Sequence, residues 1–249
     1  MNFKFSGIWE KTCSWLWIGL VISLPLSSLP IFAKLIHTSS VAPASGIFVL
    51  LLTILWFPIY IFRGGRFPFQ GKPVLIFVLY CVFTILMAFF RQAPFYPGSS
   101  TIANSVEALA TLGMGFLFYL ITASFPNKPG IIRNTIKALN WGGMMMLGWS
   151  LMQIVMWLPT HDFPEWMRVL QRFFSTTVLF DKRTTGFASE PSWLAHMLNL
   201  VYLPYWLGAT LKRYSAHKLR IWFLSLENIL LGLGVVVLFL TFSRGGLVS

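Results

Sequence analysis

Seven stretches of this chain are almost wholly apolar and long enough to cross a bilayer, which takes about 20 residues of helix. They run roughly Ser14–Leu35, Ser45–Phe62, Val74–Phe90, Ile102–Ser124, Leu139–Leu158, Ser192–Leu211 and Ile221–Phe242. Only 10% of the 249 residues are charged and 56% are hydrophobic, against about 25% charged in a soluble domain. No water-facing surface can be assembled from that composition, so the class is integral membrane. Each span must be helical, because an open strand would leave backbone groups unpaired in lipid. The expected fold is therefore all-α, a polytopic membrane helix bundle of about seven spans plus the start of an eighth, in one transmembrane domain over residues 1–249.

The net charge of +12 would suggest nucleic acid in a soluble protein. Here it reads as topology, and no nucleic-acid partner is expected. Twelve basic residues fall on one side of the spans: Lys4, Lys11, Arg63, Arg66, Lys72, Lys128, Arg133, Lys137, Lys212, Arg213, Lys218 and Arg220. Seven fall on the other: Lys34, Arg91, Arg168, Arg172, Lys182, Arg183 and Arg244. Basic residues mark cytoplasmic loops, which puts the N-terminus inside. Lys4 and Lys11 before an apolar run resemble a signal peptide, but no small-residue cleavage site follows, so the run reads as an uncleaved first span. Cys13 and Cys81 offer neither a disulfide framework nor metal-ligand spacing. No metal or cofactor is expected. GxGxxG, Walker, HExxH and GxSxG patterns are absent, which leaves nucleotide-driven transport and ordinary hydrolase chemistry without support.

One connector is long: Pro159–Pro191, on the outer side. Phe163, Trp166, Met167, Leu170 and Phe174 recur there at helical spacing, with Glu165, Arg168 and Arg172 on the other side. The pattern predicts an amphipathic helix lying in the interface. It serves either as a lid on the bundle or, through Arg168 and Arg172, as a contact for anionic lipid headgroups. The glycines of Ala110–Gly115 and Trp141–Gly148 read as close-packing positions between helices. Glu107, near the outer end of the fourth span, and Glu227, about two turns into the seventh from the inside, read as structural.

Charge and apolar helix meet most abruptly in Asp181–Leu200, DKRTTGFASEPSWLAHMLNL, and again in Thr241–Ser249, TFSRGGLVS. Arg183 and Arg244 are both expected at the outer rim. A guanidinium stays charged and matches phosphate oxygens two at a time. Two at one depth either clamp a diphosphate and stabilise it as a leaving group or are interfacial snorkels. Glu190 precedes Pro191, which suits the first turn of a helix. Its role is helix capping, acceptance of a proton from an attacking hydroxyl, or orientation of Arg183.

Arg183-Thr-Thr-Gly186-Phe-Ala-Ser-Glu190-Pro191, followed by Leu194-Ala195 in a span, resembles the central motif of the O-antigen ligase / polysaccharide polymerase superfamily of bacterial inner membranes. Leu240-Thr-Phe-Ser243-Arg244-Gly245-Gly246 resembles that superfamily's threonine/serine-arginine-glycine motif. The resemblance implies a metal-independent glycosyltransferase of surface polysaccharide or lipopolysaccharide assembly. It would take a glycan from undecaprenyl diphosphate at the periplasmic face and pass it to a glycan or lipid A core acceptor. It implies Arg183 and Arg244 as the diphosphate-binding pair; Glu190, on its position alone, is the candidate catalytic carboxylate. Members of the superfamily continue into a large periplasmic loop with an essential histidine. None of His37, His161, His196 and His217 stands at that place, so the resemblance implies the N-terminal portion of a longer enzyme. Two other classes are compatible with the sequence: a transporter or flippase for lipid-linked sugars, and a non-catalytic scaffold of a polysaccharide-assembly complex.

Overall fold

Apolar composition becomes helix almost everywhere: 75% of the structure is helical, with almost no strand. The structure, a computed structural model, describes residues 7–30, 43–68, 71–90, 101–127, 129–217, 219–221 and 224–248. Lys4, Lys34, Arg91, Lys128 and Lys218 of the charge pattern lie outside these residues. The helices are α1 (Gly7–Ile22), α2 (Ser45–Leu55), α3 (Phe57–Phe62), α4 (Gly71–Phe90), α5 (Thr101–Ser124), α6 (Pro129–Thr160) and α7 (Glu165–Phe174). There follow α8 (Pro191–Met197), a π-helical turn (Leu198–Tyr202), α9 (Leu203–Leu211), α10 (Leu226–Leu240) and α11 (Arg244–Val248). Strands β1 (Arg220–Ile221) and β2 (Leu224–Ser225) pair antiparallel ahead of α10.

The chain divides into two units. One comprises Val49–Lys128. Among the described residues, three segments are long and apolar enough to cross a membrane: Ser45–Phe62, Gly71–Ala88 and Asn104–Ser124. The last two lie wholly in this unit and pack together as α4 and α5. Ile76, Phe77, Tyr80 and Phe83 of α4 are all exposed, a surface suited to lipid and not to water. Gly113 and Gly115 have open space where a side chain would sit, so the expected close packing is not seen at them among the described residues.

The other unit, Met1–Phe48 with Pro129–Ser249, is organised by α6. Helix α1 runs parallel to it, as two contacts in register show: Trp17 Nε1 donates to Thr135 Oγ1 at 2.7 Å, and Gly142 lies against the Ile22 carbonyl. The sequence predicts a first span to Leu35, but α1 ends at Ile22. Ser23, Pro25, Ser27 and Ser28 turn the chain across the bundle, and the Ser28 hydroxyl meets that of Ser175 at 2.8 Å. Helices α8, π turn and α9 follow one another from Pro191 to Leu211, in good agreement with the predicted sixth span. Trp206 on α9 is fully buried. Gly143 of α6 and Gly234 of α10 make room for its ring, since a Cβ would stand 2.5 Å and 2.9 Å from its atoms. Met146, Leu147, Leu194, Leu198, Tyr202 and Val237 complete this core.

Helix α10 begins later than the predicted seventh span, because the β1–β2 hairpin takes up its first residues. Glu227 thus lies in the first turn of α10, not two turns in, and is completely buried. Its Oε1 accepts from Asn140 Nδ2 and from the Ala216 backbone N–H, both at 3.0 Å. Asn140 Oδ1 in turn accepts from Trp206 Nε1 at 3.0 Å. One carboxylate so ties α6, α9, α10 and the connection between α9 and β1 together, toward the end of the unit where α6 starts.

Candidate functional site

At the other end of α6, Ser150 and Gln153 face one loop. One turn apart on the helix, both are buried. Gln153 Oε1 accepts from Thr184 Oγ1 at 2.7 Å, from the Thr185 N–H at 3.0 Å and from the Gly186 N–H at 3.1 Å. Its Nε2 donates to the Gly186 carbonyl at 3.0 Å. Two backbone N–H groups aimed at one atom fix which end of the amide is oxygen. Gln171 of α7 supports the same carbonyl through its Nε2 at 3.3 Å, and its Oε1 accepts from Trp149 Nε1 at 2.8 Å. Two buried glutamines therefore hold the loop 183–186 as a backbone sheet edge would. Gly186 is required twice over. Its φ is +56°, a conformation costly for other residues, and a Cβ would stand 2.8 Å from Ser150 Oγ.

The loop is also fastened to the end of α10. The Thr184 N–H donates to the Leu240 carbonyl at 3.1 Å, and Arg183 Nε donates to the Thr241 carbonyl at 2.9 Å. A helix C-terminus leaves carbonyls unpaired and carries partial negative charge, so a guanidinium is favoured there. Past Thr241 the chain reverses through Phe242, held at φ 45°, an unusual conformation for a bulky residue. Thr241 Oγ1 accepts from the Ser243 N–H at 3.3 Å, and Ser243 Oγ accepts from the Gly246 N–H at 3.1 Å. The threonine and serine of this motif are thus buried turn-formers, and Ser243 caps α11. Gly246 lies directly on Ala195 of α8, and Asn199 Nδ2 donates to its carbonyl.

These bonds place both arginine-bearing segments at one end of α10. Arg183 is half-buried and Arg244 exposed. Among the described residues, the two terminal nitrogens of Arg183 and the whole Arg244 guanidinium have no hydrogen-bond or ion-pair partner. Glu190 is the N-cap of α8 with Pro191 at N1, as expected. Its carboxylate accepts from Ser192 Oγ at 2.9 Å instead of capping the helix backbone. No bond joins it to Arg183 among the described residues, so the orienting role has no contact behind it. It is exposed, as a proton acceptor needs to be.

Arg168 and Arg172 do not stand free. Arg168 pairs with Asp162 and donates through Nε to the Phe163 carbonyl at 3.1 Å. Arg172 pairs with Glu165 at 2.9 Å. Helix α7 has three faces, not two. Met167 and Gln171 point into the protein, the ion pairs line a second face, and Trp166, Val169 and Phe173 form an exposed apolar ridge. Exposed pairs contribute little stability; they close the charged side of the helix on itself.

Two participants escape sequence reading: Gln153 and Gln171. His196, exposed on α8, has its Nε2 3.9 Å from where a Gly245 Cβ would stand. The available signal for Gln153 was a polar residue inside an apolar span, which a membrane penalises unless it is partnered; Gln171 lies on the amphipathic helix α7, where a polar residue gives no such signal. Comparison of the chain with protein-family models, curated proteins and solved structures found no match.

Proposed function

We propose that the chain is the donor-binding part of a multi-span, lipid-linked glycan transferase of the bacterial inner membrane. It spans the bilayer about seven times with its N-terminus in the cytoplasm. The reaction is attack by an acceptor hydroxyl, on a glycan or a lipid A core sugar, at the anomeric carbon of a glycan carried on undecaprenyl diphosphate. The new glycosidic C–O bond forms as the bond from that carbon to the phosphate oxygen breaks. The hydroxyl proton passes to Glu190, and undecaprenyl diphosphate leaves as the anion. Arg183 and Arg244 hold the diphosphate and stabilise the charge that grows on it.

The observation that carries this reading is the joining of the two arginine motifs. Residues 58 apart in sequence are bonded through Arg183 Nε and the Thr241 carbonyl, and the remaining guanidinium nitrogens have no protein partner among the described residues. The test is Arg183→Ala and Arg244→Ala in cells that need the chain for surface polysaccharide, with membrane abundance checked by blot. Each is expected to lower polymer output about 10²–10³-fold, the usual effect of removing one oxyanion-stabilising donor. Lysine at either position rescues poorly, because a point charge lacks the planar fork.

A second reading has one observation in its favour. The Arg183 bond to Thr241 is also a helix C-cap, which suits a non-catalytic scaffold in the assembly complex. Full polymer output from the double alanine variant selects that reading and ends the first.

A further inference from the structure

The end of the larger unit away from the arginine corner carries a groove of about 670 Å³ between α1 and α6. Lys137 and Gln153 are sixteen residues apart on α6, about 24 Å of helix, so the two places are separate. The groove is graded along its length. Along α1 the lining passes from Glu10 and Lys11 through Trp15 to Ile18 and Ile22; along α6 it passes from Asn134 and Lys137 to Trp141. Trp15 and Trp141 are 71% and 52% exposed. Neither ammonium has a hydrogen-bond or ion-pair partner among the described residues. Because α1 and α6 run parallel, each helix presents its lysine before its tryptophan in the same direction, Lys11 four residues ahead of Trp15 and Lys137 four ahead of Trp141.

We propose that this groove binds an anionic phospholipid from the leaflet at that rim. The lysines receive the phosphate, the tryptophans sit at the headgroup–acyl boundary where amphipathic rings prefer to lie, and one acyl chain follows the isoleucines. The volume falls within the range of small-molecule sites. Two cations against one carboxylate leave the groove lining net positive, which selects an anionic headgroup over a zwitterionic one. The grading from charge through tryptophan to isoleucine matches an amphiphile and not a free anion. The inference rests on membrane insertion of this unit and is independent of diphosphate binding by Arg183 and Arg244.

The test is binding of fluorescent phosphatidylglycerol and phosphatidylcholine to the purified full chain in mild detergent. Phosphatidylglycerol is expected to bind more tightly, by about fivefold for each lysine engaged. Lys11→Gln with Lys137→Gln removes the preference, and Glu10→Gln, which deletes the opposing charge, increases it. Ser14→Trp, which fills the groove, weakens both lipids, and inorganic phosphate does not displace either. Arg183→Ala with Arg244→Ala leaves the preference intact, so failure of the transferase reading does not register here. Equal binding of the two lipids overturns the proposal. So does a lysine double variant that keeps the preference, or displacement by inorganic phosphate alone. All of these substitutions are on exposed or half-buried positions, and helical circular dichroism verifies that each variant is folded.

Discussion

Gln153 is the residue on which the site's geometry turns, and its contribution can be bounded. Individual side-chain hydrogen bonds in membrane proteins average about 0.6 kcal/mol. Removing Gln153 strands two buried backbone N–H groups, at Thr185 and Gly186, and an orphaned buried donor costs about 1–3 kcal/mol. The second effect dominates. Gln153→Leu keeps the volume and removes the amide, so the loop is expected to detach while α6 stays folded. Limited proteolysis reads this directly: trypsin should cut after Lys182 and Arg183 several times faster than in the parent. An unchanged cleavage rate would mean that the loop holds itself. Gly186→Ala separates strain from space in the same loop. The φ of +56° costs about 1–2 kcal/mol for a residue with a Cβ, and contact with Ser150 Oγ adds to it. Adding Ser150→Ala should recover part of the lost thermal stability and leave the remainder. Full recovery would show that the conformation itself carries no penalty.

Elements packed by small residues should respond as units. Gly143 and Gly234 both pack against the six-membered ring of Trp206, at Cζ2 and at Cζ3, so one side chain of α9 is shared by α6 and α10. Gly143→Val and Gly234→Val are each expected to lower the midpoint of thermal unfolding in detergent. The double variant should lose less than the sum, because one displacement of the ring relieves both contacts. Strict additivity would indicate that the two glycines act on separate interfaces. The same scale shows what hydropathy can and cannot reveal. Ser45–Phe62 and Ser192–Leu211 were legible because nothing polar interrupts their interior pattern for long. The predicted first span failed past Ile22 because averaged hydropathy absorbs Ser23, Pro25 and Ser27, each of which favours a turn. The seventh began late because Ile221 and Leu224, apolar enough for a span, pair in a hairpin. Charge on α7 was legible as a face, but its pairing with Asp162 and Glu165 was not, since sequence spacing gives proximity without rotamer.

At the scale of the larger unit, α6 links two polar fastenings at opposite ends: Asn140 with Glu227 at one, Gln153 with the arginine loop at the other. Thirteen residues separate Asn140 from Gln153, about 20 Å of helix, a large part of the roughly 30 Å hydrocarbon core. Over residues 142–147 between them, the helix meets packing partners such as Trp206 and Tyr202. This spacing is what a spanning helix needs, with polar groups near the interfaces and glycine, methionine and tryptophan in the interior. Neither fastening was readable from composition, because each joins segments far apart in sequence: 87 residues for Asn140 to Glu227 and 31 for Gln153 to Thr184. What the sequence does offer is an expectation of sidedness, through the basic excess near Lys212 and Arg213. Those two residues lie just past α9, in the connection to α10, whereas Asp181 lies in the arginine loop. In a chain whose native Cys13 and Cys81 are replaced by serine, Lys212→Cys and Asp181→Cys should therefore label from opposite faces. With a membrane-impermeant maleimide on intact cells, Asp181→Cys reacts at once and Lys212→Cys only after permeabilisation. Both positions are exposed, so access is set by the bilayer and not by burial. Reaction of both from outside, or the reverse order, would remove the arginine corner from the outer face that the proposed transferase requires.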